Sequence, residues 1–148
     1  MRVRDVLRRS AVAIMREQTV LAAAQVMRDA GVGALVVVDE VRPVGIVTDR
    51  DLVTRSLSVG GPADARVDSV MTTPVVTIAA DADLHGSFAL FRTNGLRRLV
   101  VVDGDTFVGI VSVDDLLIDL AADLGDLARP ITAETVFGHH DAPVPATT

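Results

Sequence analysis

Apolar positions along the chain follow two different periods, and the same succession of periods occurs twice. From Thr19 to Ala30 they recur at Val20, Ala23, Ala24 and Met27, the i, i+3, i+4, i+7 spacing of a helix with one buried face. Gly31 follows, a residue suited to the positive φ that ends a helix. Two short apolar runs come next, Leu35–Val38 and Val44–Val47, joined by Asp39-Glu40-Val41-Arg42-Pro43. Runs with so little polar interruption predict strands covered on both faces. Upstream, an opening segment (Val3–Arg9) precedes a β-branched run (Ala11–Ile14) that predicts a first strand, and a second helix starts after Thr48. The unit reads β-α-β-β-α.

A shift of 64 positions lays the chain on itself without a gap from Val3 to Ser56, with 17 identities in 54 pairs. Gly31 through Asp39 falls on Gly95 through Asp103, Val44–Thr48 on Val108–Ser112, and Asp51-Leu52 on Asp115-Leu116. The second copy has an opening segment at Val67–Met71, a first strand within Val75–Ile78 and a helix over Asp83–Asn94 with Leu84, Phe88 and Phe91 on one face. Its hairpin turns at Asp103-Gly104-Asp105-Thr106. A unit of about 60 residues buries too little surface alone, so the copies are expected to pack together about a pseudo-twofold axis in an α/β (α+β) fold. The expected limits are 1–58 for the first repeat, 59–66 for a Gly/Pro-containing linker and 67–126 for the second repeat. A mobile, Ala/Pro/Thr-rich tail is expected over 127–148.

Composition narrows the chemistry. The net charge is −6, all 14 basic residues are Arg, and there is no Lys, Cys, Trp or Tyr. That excludes Schiff-base and thiolate chemistry, and an acidic chain with only four Phe is a poor match for nucleic acid. Residues 1–60 carry nine Arg against seven acids, and 61–148 carry five against thirteen, an asymmetry able to orient a partner or an anionic ligand. No apolar run is long enough to cross a bilayer, and the first residues are charged where a signal peptide is apolar, so a cytoplasmic protein is expected. His85 lies within a helix and His139-His140 in the tail, which offers neither a metal site nor a catalytic triad; no metal and no catalysis are expected.

The candidate chemistry sits where each repeat's last strand meets its second helix: Thr48-Asp49-Arg50-Asp51 and Ser112-Val113-Asp114-Asp115. A hydroxyl three residues before an acid is the pattern of a capping box, with the hydroxyl capping the helix and the acid reaching back to the cap's amide. The same geometry suits a nucleotide, since helix N–H groups attract an anion and a carboxylate accepts ribose hydroxyls. Both readings stay open here. Leu116, Leu117, Leu120 and Leu124 follow at helical spacing, which fits either a core or a dimerising helix.

Over residues 3–124 the chain resembles tandem CBS (cystathionine-β-synthase) domains, the pair called a Bateman module, most specifically in Val44–Leu52 and Leu96–Leu116. The resemblance implies a regulatory or sensory module that binds AMP, ADP, ATP or S-adenosylmethionine between its repeats, requires no cofactor, forms a homodimer through its helices and signals to an effector protein. It assigns Asp51 and Asp115 to ribose and Thr48 and Ser112 to ribose or phosphate. It places Ile14, Thr77 and Ile78 beside adenine. Arg97-Arg98 would offer guanidinium groups to phosphate, and the first repeat has Gly33-Ala34 there, so the two clefts are expected to differ. Val36 and Val100 stand where the family often has Pro. The alternative is an interaction module that binds no ligand and whose hydroxyl–acid pairs only cap helices.

Overall fold

The computed structural model describes residues 1–7 and 11–137. A 3-10 turn at Val3–Val6 precedes β1 (Ala13–Met15), α1 (Val20–Ala30), β2 (Ala34–Asp39), β3 (Arg42–Thr48) and α2 (Asp49–Arg55). Further 3-10 turns at Leu57–Val59 and Val67–Ser69 lead into β4 (Thr77–Ala79), α3 (Leu84–Asn94), β5 (Arg98–Asp103), β6 (Thr106–Ser112) and α4 (Val113–Phe137). From β1 to β3 every element limit recurs 64 positions later, so the β-α-β-β-α order is present twice. The chain divides into two compact units, Met1–Val113 with both sheets and a second that opens at Asp114, the second residue of α4.

Each repeat forms a three-stranded sheet, with β1 parallel to β2 and β2 antiparallel to β3, then β4, β5 and β6 likewise. Thr19 caps α1 by accepting the Ala22 N–H, and Gly31 ends it at φ 63°. On one face of the first sheet, Val20, Ala23 and Met27 of α1 pack with Ile14, Leu35, Val37 and Val47. In α3 the place of Ala23 is taken by Ser87, fully buried, whose hydroxyl donates to the Leu84 carbonyl. That bond lets a polar group occupy a core position. On the other face of β2, Val36 and Val38 meet Val100, with Ile46, Val75, Val102, Phe107 and Ile110 around them, so the two sheets cover each other.

Two features depart from the sequence pattern. The first hairpin turns on Glu40-Val41 alone, with Glu40 at φ 57°, and Pro43 lies inside β3. Pro43 is accommodated because the pairing skips Val44, going from Val37↔Gly45 to Val38↔Pro43, and a bulge frees a strand from needing that N–H. The second departure is α4. Pattern alone ends this helix near Asp126, yet it continues to Phe137 through Leu127, Ala128 and Arg129, good helix formers that carry it past Pro130. The rest of the expected tail, with His139-His140, lies outside the described residues.

The opening segments are exchanged between repeats. The Val3 N–H donates to the Ala82 carbonyl at 3.0 Å and the Leu84 N–H to Met1 at 2.9 Å, tying the start of the chain to the second repeat. At the equivalent places, Val67 donates to Gln18 at 2.7 Å and Val20 to Ala65 at 2.8 Å, tying the start of the second repeat to the first. Val3 and Val67 are both fully buried. Met71 lies where a Cβ on Gly45 would be, and Leu7 crowds Gly109 in the same way. Asp68 fastens one of these exchanges, receiving bonds from Arg66 (2.8 and 3.1 Å) and from Arg16 of the first repeat (3.2 Å). The Arg66 guanidinium first, and Arg16 after it, hold the Asp68 carboxyl below the usual carboxylate range against the opposing effect of burial.

Two outcomes follow from the exchange. Val3→Ala should cost about 2 kcal/mol in urea unfolding, the penalty of a core position rather than of a chain end. Because the folded Asp68 releases its proton more readily than the unfolded chain does, its stabilisation is complete above about pH 4 and is lost as acid protonates it. Asp68→Asn should therefore lower stability at pH 7 and flatten the fall in melting temperature on acidification below about pH 4.

Candidate functional site

β3 ends at Thr48, and α2 begins at the next residue. The hydroxyl–acid pair forms a closed capping box: the Asp51 N–H donates to Thr48 Oγ1 at 3.1 Å, and the Thr48 N–H donates to Asp51 Oδ2 at 2.9 Å. The local sequence dictates this, since Thr at extended φ/ψ is a good N-cap and an acid at the third helical position reaches back to it. The other Asp51 oxygen, Oδ1, lies 3.8 Å from Arg55 Nε, and the carboxylate is only 14% exposed. Arg55 Nη1 in turn donates to the carbonyls of Val70 (3.3 Å) and Met71 (3.1 Å), on the segment exchanged from the second repeat.

Arg55 is a residue that the motif search missed. Its signal was present as the i, i+4 spacing from Asp51. Its link to Met71 is a long-range contact with no trace in local sequence.

The capping reading is thus realised at Thr48 and Asp51, and it leaves the ribose reading open on chemical grounds. A carboxylate has about four lone-pair directions. The Thr48 amide takes one and Arg55 lies beside the other oxygen, so acceptor capacity remains for a diol. The box also fixes where that capacity points.

In the second repeat Ser112 is the last residue of β6 and Asp115 the third of α4, both half-buried like Thr48 and Asp51. The position of Arg55 is taken there by Asp119, so the two junctions carry opposite charge one helical turn after the acid. Arg98 opens β5 directly opposite Ser112 in the sheet register, and both Arg97 and Arg98 are exposed. The Arg97 carbonyl accepts the Val113 N–H at 3.0 Å, as Gly33 accepts that of Asp49 in the first repeat. Arginines therefore stand at the strand entrance opposite the second junction, where the first repeat has Gly33-Ala34.

The first strands place their residues by parity. Thr77 is exposed at the start of β4 and pairs with Val100, which faces the seam between the sheets. Ile14 and Ile78, on the same strands, are buried. Ile14 pairs with Val37 and packs in the core beneath α1, and Ile78 pairs with Val101 and is equally buried. The seam-side positions on these strands are Ala13, Met15, Thr77 and Ala79, all exposed. At the opposite end of the strands, a depression of about 440 Å³ is lined by Asp39, Glu40, Val41, Arg42 and Asp105. His85 is exposed and lies 5.4 Å from the ring of Phe88. Among the described residues no helix is long and apolar enough to cross a membrane.

The sequence profile of the CBS domain matches residues 3–58 and 67–122, one match to each copy. The chain belongs to the CBS-domain family. It is 32% identical over 117 residues to the CBS domain-containing protein YhcV of Bacillus subtilis, which covers 79% of this chain and 84% of that protein. Hypoxic Response Protein I, solved with two coordinated zinc ions, has 28% identity and a TM-score of 0.70 over 79% of this chain and 97% of its own. A CBS domain protein of Pyrobaculum aerophilum, solved in complex with AMP, has 25% identity and a TM-score of 0.70 over 82% and 99%. The matched part of this chain spans 59% of a relative from Methanopyrus kandleri and 65% of another from Bacillus subtilis.

Thr48→Ala removes the acceptor for the Asp51 amide and should lower stability by about 1 kcal/mol in denaturant titration. Arg55→Ala should cost stability as well, by freeing the Val70 and Met71 carbonyls.

Proposed function

We propose that this CBS pair is a cytoplasmic, non-catalytic regulatory module that binds an adenosine nucleotide or adenosyl ligand such as AMP, ADP, ATP or S-adenosylmethionine. Two copies associate through the helices of the repeats, and a separate effector protein reads the liganded state. The observation that carries the proposal is the Thr48–Asp51 junction: a half-buried carboxylate, fixed by its own helix cap, with acceptor capacity left for a ribose diol. The family membership and the AMP complex of a relative with the same fold support the choice of ligand class. Thr48 would contact ribose or phosphate beside Asp51, with Ser112 and Asp115 as the corresponding pair. Arg97 and Arg98 would favour a phosphorylated ligand at the second junction, and Thr77 would lie on the base side. Ile14 and Ile78 support that side from beneath rather than touching it.

A route for signalling starts at Asp51. A diol donating to this carboxylate draws its charge away from Arg55, the side chain that holds the Val70 and Met71 carbonyls. Ligand occupancy at the first junction would then bias the segment shared by the two repeats, shifting the population between two arrangements of the pair. The rival reading, an interaction module without a ligand, is favoured by the completeness of the capping box, which leaves Thr48 and Asp51 a purely structural task.

Each of AMP, ADP, ATP and S-adenosylmethionine should be tested by thermal shift at millimolar concentration. The expected result is a rise in melting temperature with at least one, since a ligand at about 100 times its Kd adds about 2.7 kcal/mol. Asp51→Ala should abolish one binding event in calorimetry while the fold persists. No shift with any of the four would decide for the interaction module.

A further inference from the structure

A helix begins with four N–H groups that have no acceptor inside it, and these draw phosphate to helix N-termini. At the first junction the chain itself occupies all four. The Thr48 N–H donates to Asp51 Oδ2 at 2.9 Å and the Asp49 N–H to the Gly33 carbonyl at 3.0 Å. The Arg50 N–H donates to Asp49 Oδ1 at 2.8 Å and the Asp51 N–H to Thr48 Oγ1 at 3.1 Å. The seven-residue α2 therefore keeps no N–H with which to hold an anion. Nor is there net positive charge: Asp49 and Arg50 sum to zero, as do Asp51 and the Arg55 beside it.

The Asp49 carboxylate has a defined place. A Cβ on Gly33 would meet Asp49 Oδ2 at 3.2 Å and Cγ at 3.5 Å, so the carboxylate fills the room of a side chain at position 33. In the second repeat that position is Arg97, exposed, and the place of Asp49 is taken by the uncharged Val113. The Val113 N–H still donates to the Arg97 carbonyl, so the backbone is kept while the side-chain pair is exchanged. One repeat has a carboxylate where the other has an arginine.

The geometry points to a first junction that selects against phosphate. It takes an adenosyl ligand whose 5′ substituent is uncharged or cationic, such as adenosine or the sulfonium S-adenosylmethionine, and Asp49 sets that choice. The inference rests on the ribose reading of Asp51 given above and narrows the ligand class of that junction. A ribose whose diol meets Asp51 carries its 5′ substituent on the same ring, within the field of Asp49 in the same helical turn. AMP brings a negative phosphate towards that carboxylate, whereas a sulfonium brings the opposite charge. Phosphorylated nucleotides are left to the second junction.

Titration calorimetry on the full chain tests this, with Asp115→Ala used to leave only the first junction. In that background adenosine and S-adenosylmethionine should bind about tenfold tighter than AMP. Asp49→Asn keeps an acceptor for the Arg50 N–H but loses the charge, and it should close most of the gap. Gly33→Arg/Asp49→Val, which installs the pair of the second repeat, should reverse it. With Asp49 in place the gap should narrow in about 0.5 M salt, because the charge is exposed. If Asp49 only stabilises the start of α2, Asp49→Asn will melt earlier and leave the AMP-to-adenosine ratio unchanged, and the inference is overturned. AMP binding as tightly as adenosine to the Asp115→Ala chain would overturn it too. Failure of all three ligands to bind that chain has a different meaning: it removes the ribose reading itself, and the inference with it.

Discussion

Neither repeat can hide both faces of its own sheet. One face of the first sheet lies under α1, and the other carries Val36 and Val38, which water would meet if the second repeat were absent. The second repeat presents Val100, Val102 and Ile110 in the same way, and the two apolar faces close on each other. At roughly 25 cal/mol for each Å² of apolar surface removed from water, this closure is the main term that holds the pair together. It also brings β3 and β6 against each other through Ile46 and Ile110, and the hydroxyl–acid junction occurs twice because the sequence itself repeats.

The exchanged segments make the closure specific. Hydrophobic faces alone would tolerate sliding, but the hydrogen bonds of Val3 with Ala82 and of Val67 with Gln18 allow a single register. The same residues connect fold to function. Met71 lies against Gly45, its carbonyl is held by Arg55, and Arg55 lies beside the candidate ribose acceptor Asp51. Asp119 stands where the second repeat would need an equivalent arginine, so the two junctions differ in their electrostatics even though the backbone repeats.

Much of this was legible beforehand. Gly31 and Gly95 marked the ends of α1 and α3, the valine runs marked the inner strands, and the 64-residue shift gave the architecture. What escaped had physical causes. The burial of Ile14 and Ile78 escaped because they sit in short strands within nearly continuous apolar runs, where alternation does not say which face is which. Pro43 and Pro130 read as breakers, yet a bulge absorbed the first and α4 carried past the second. The Arg55–Met71 contact and the exchange of opening segments join residues far apart in sequence, and no local pattern announces them. The capping box at Thr48 was legible as geometry and ambiguous as purpose, because a cap and a ribose acceptor ask for the same two residues.

The exchange has a consequence for how the chain is made. Val3 leaves the ribosome 79 residues ahead of its hydrogen-bond partner Ala82. The first repeat likewise stays open until Val67 arrives to meet Gln18. Neither half can mature on its own during translation, and a nascent chain arrested inside the linker would expose the valine face of one sheet with nothing to cover it.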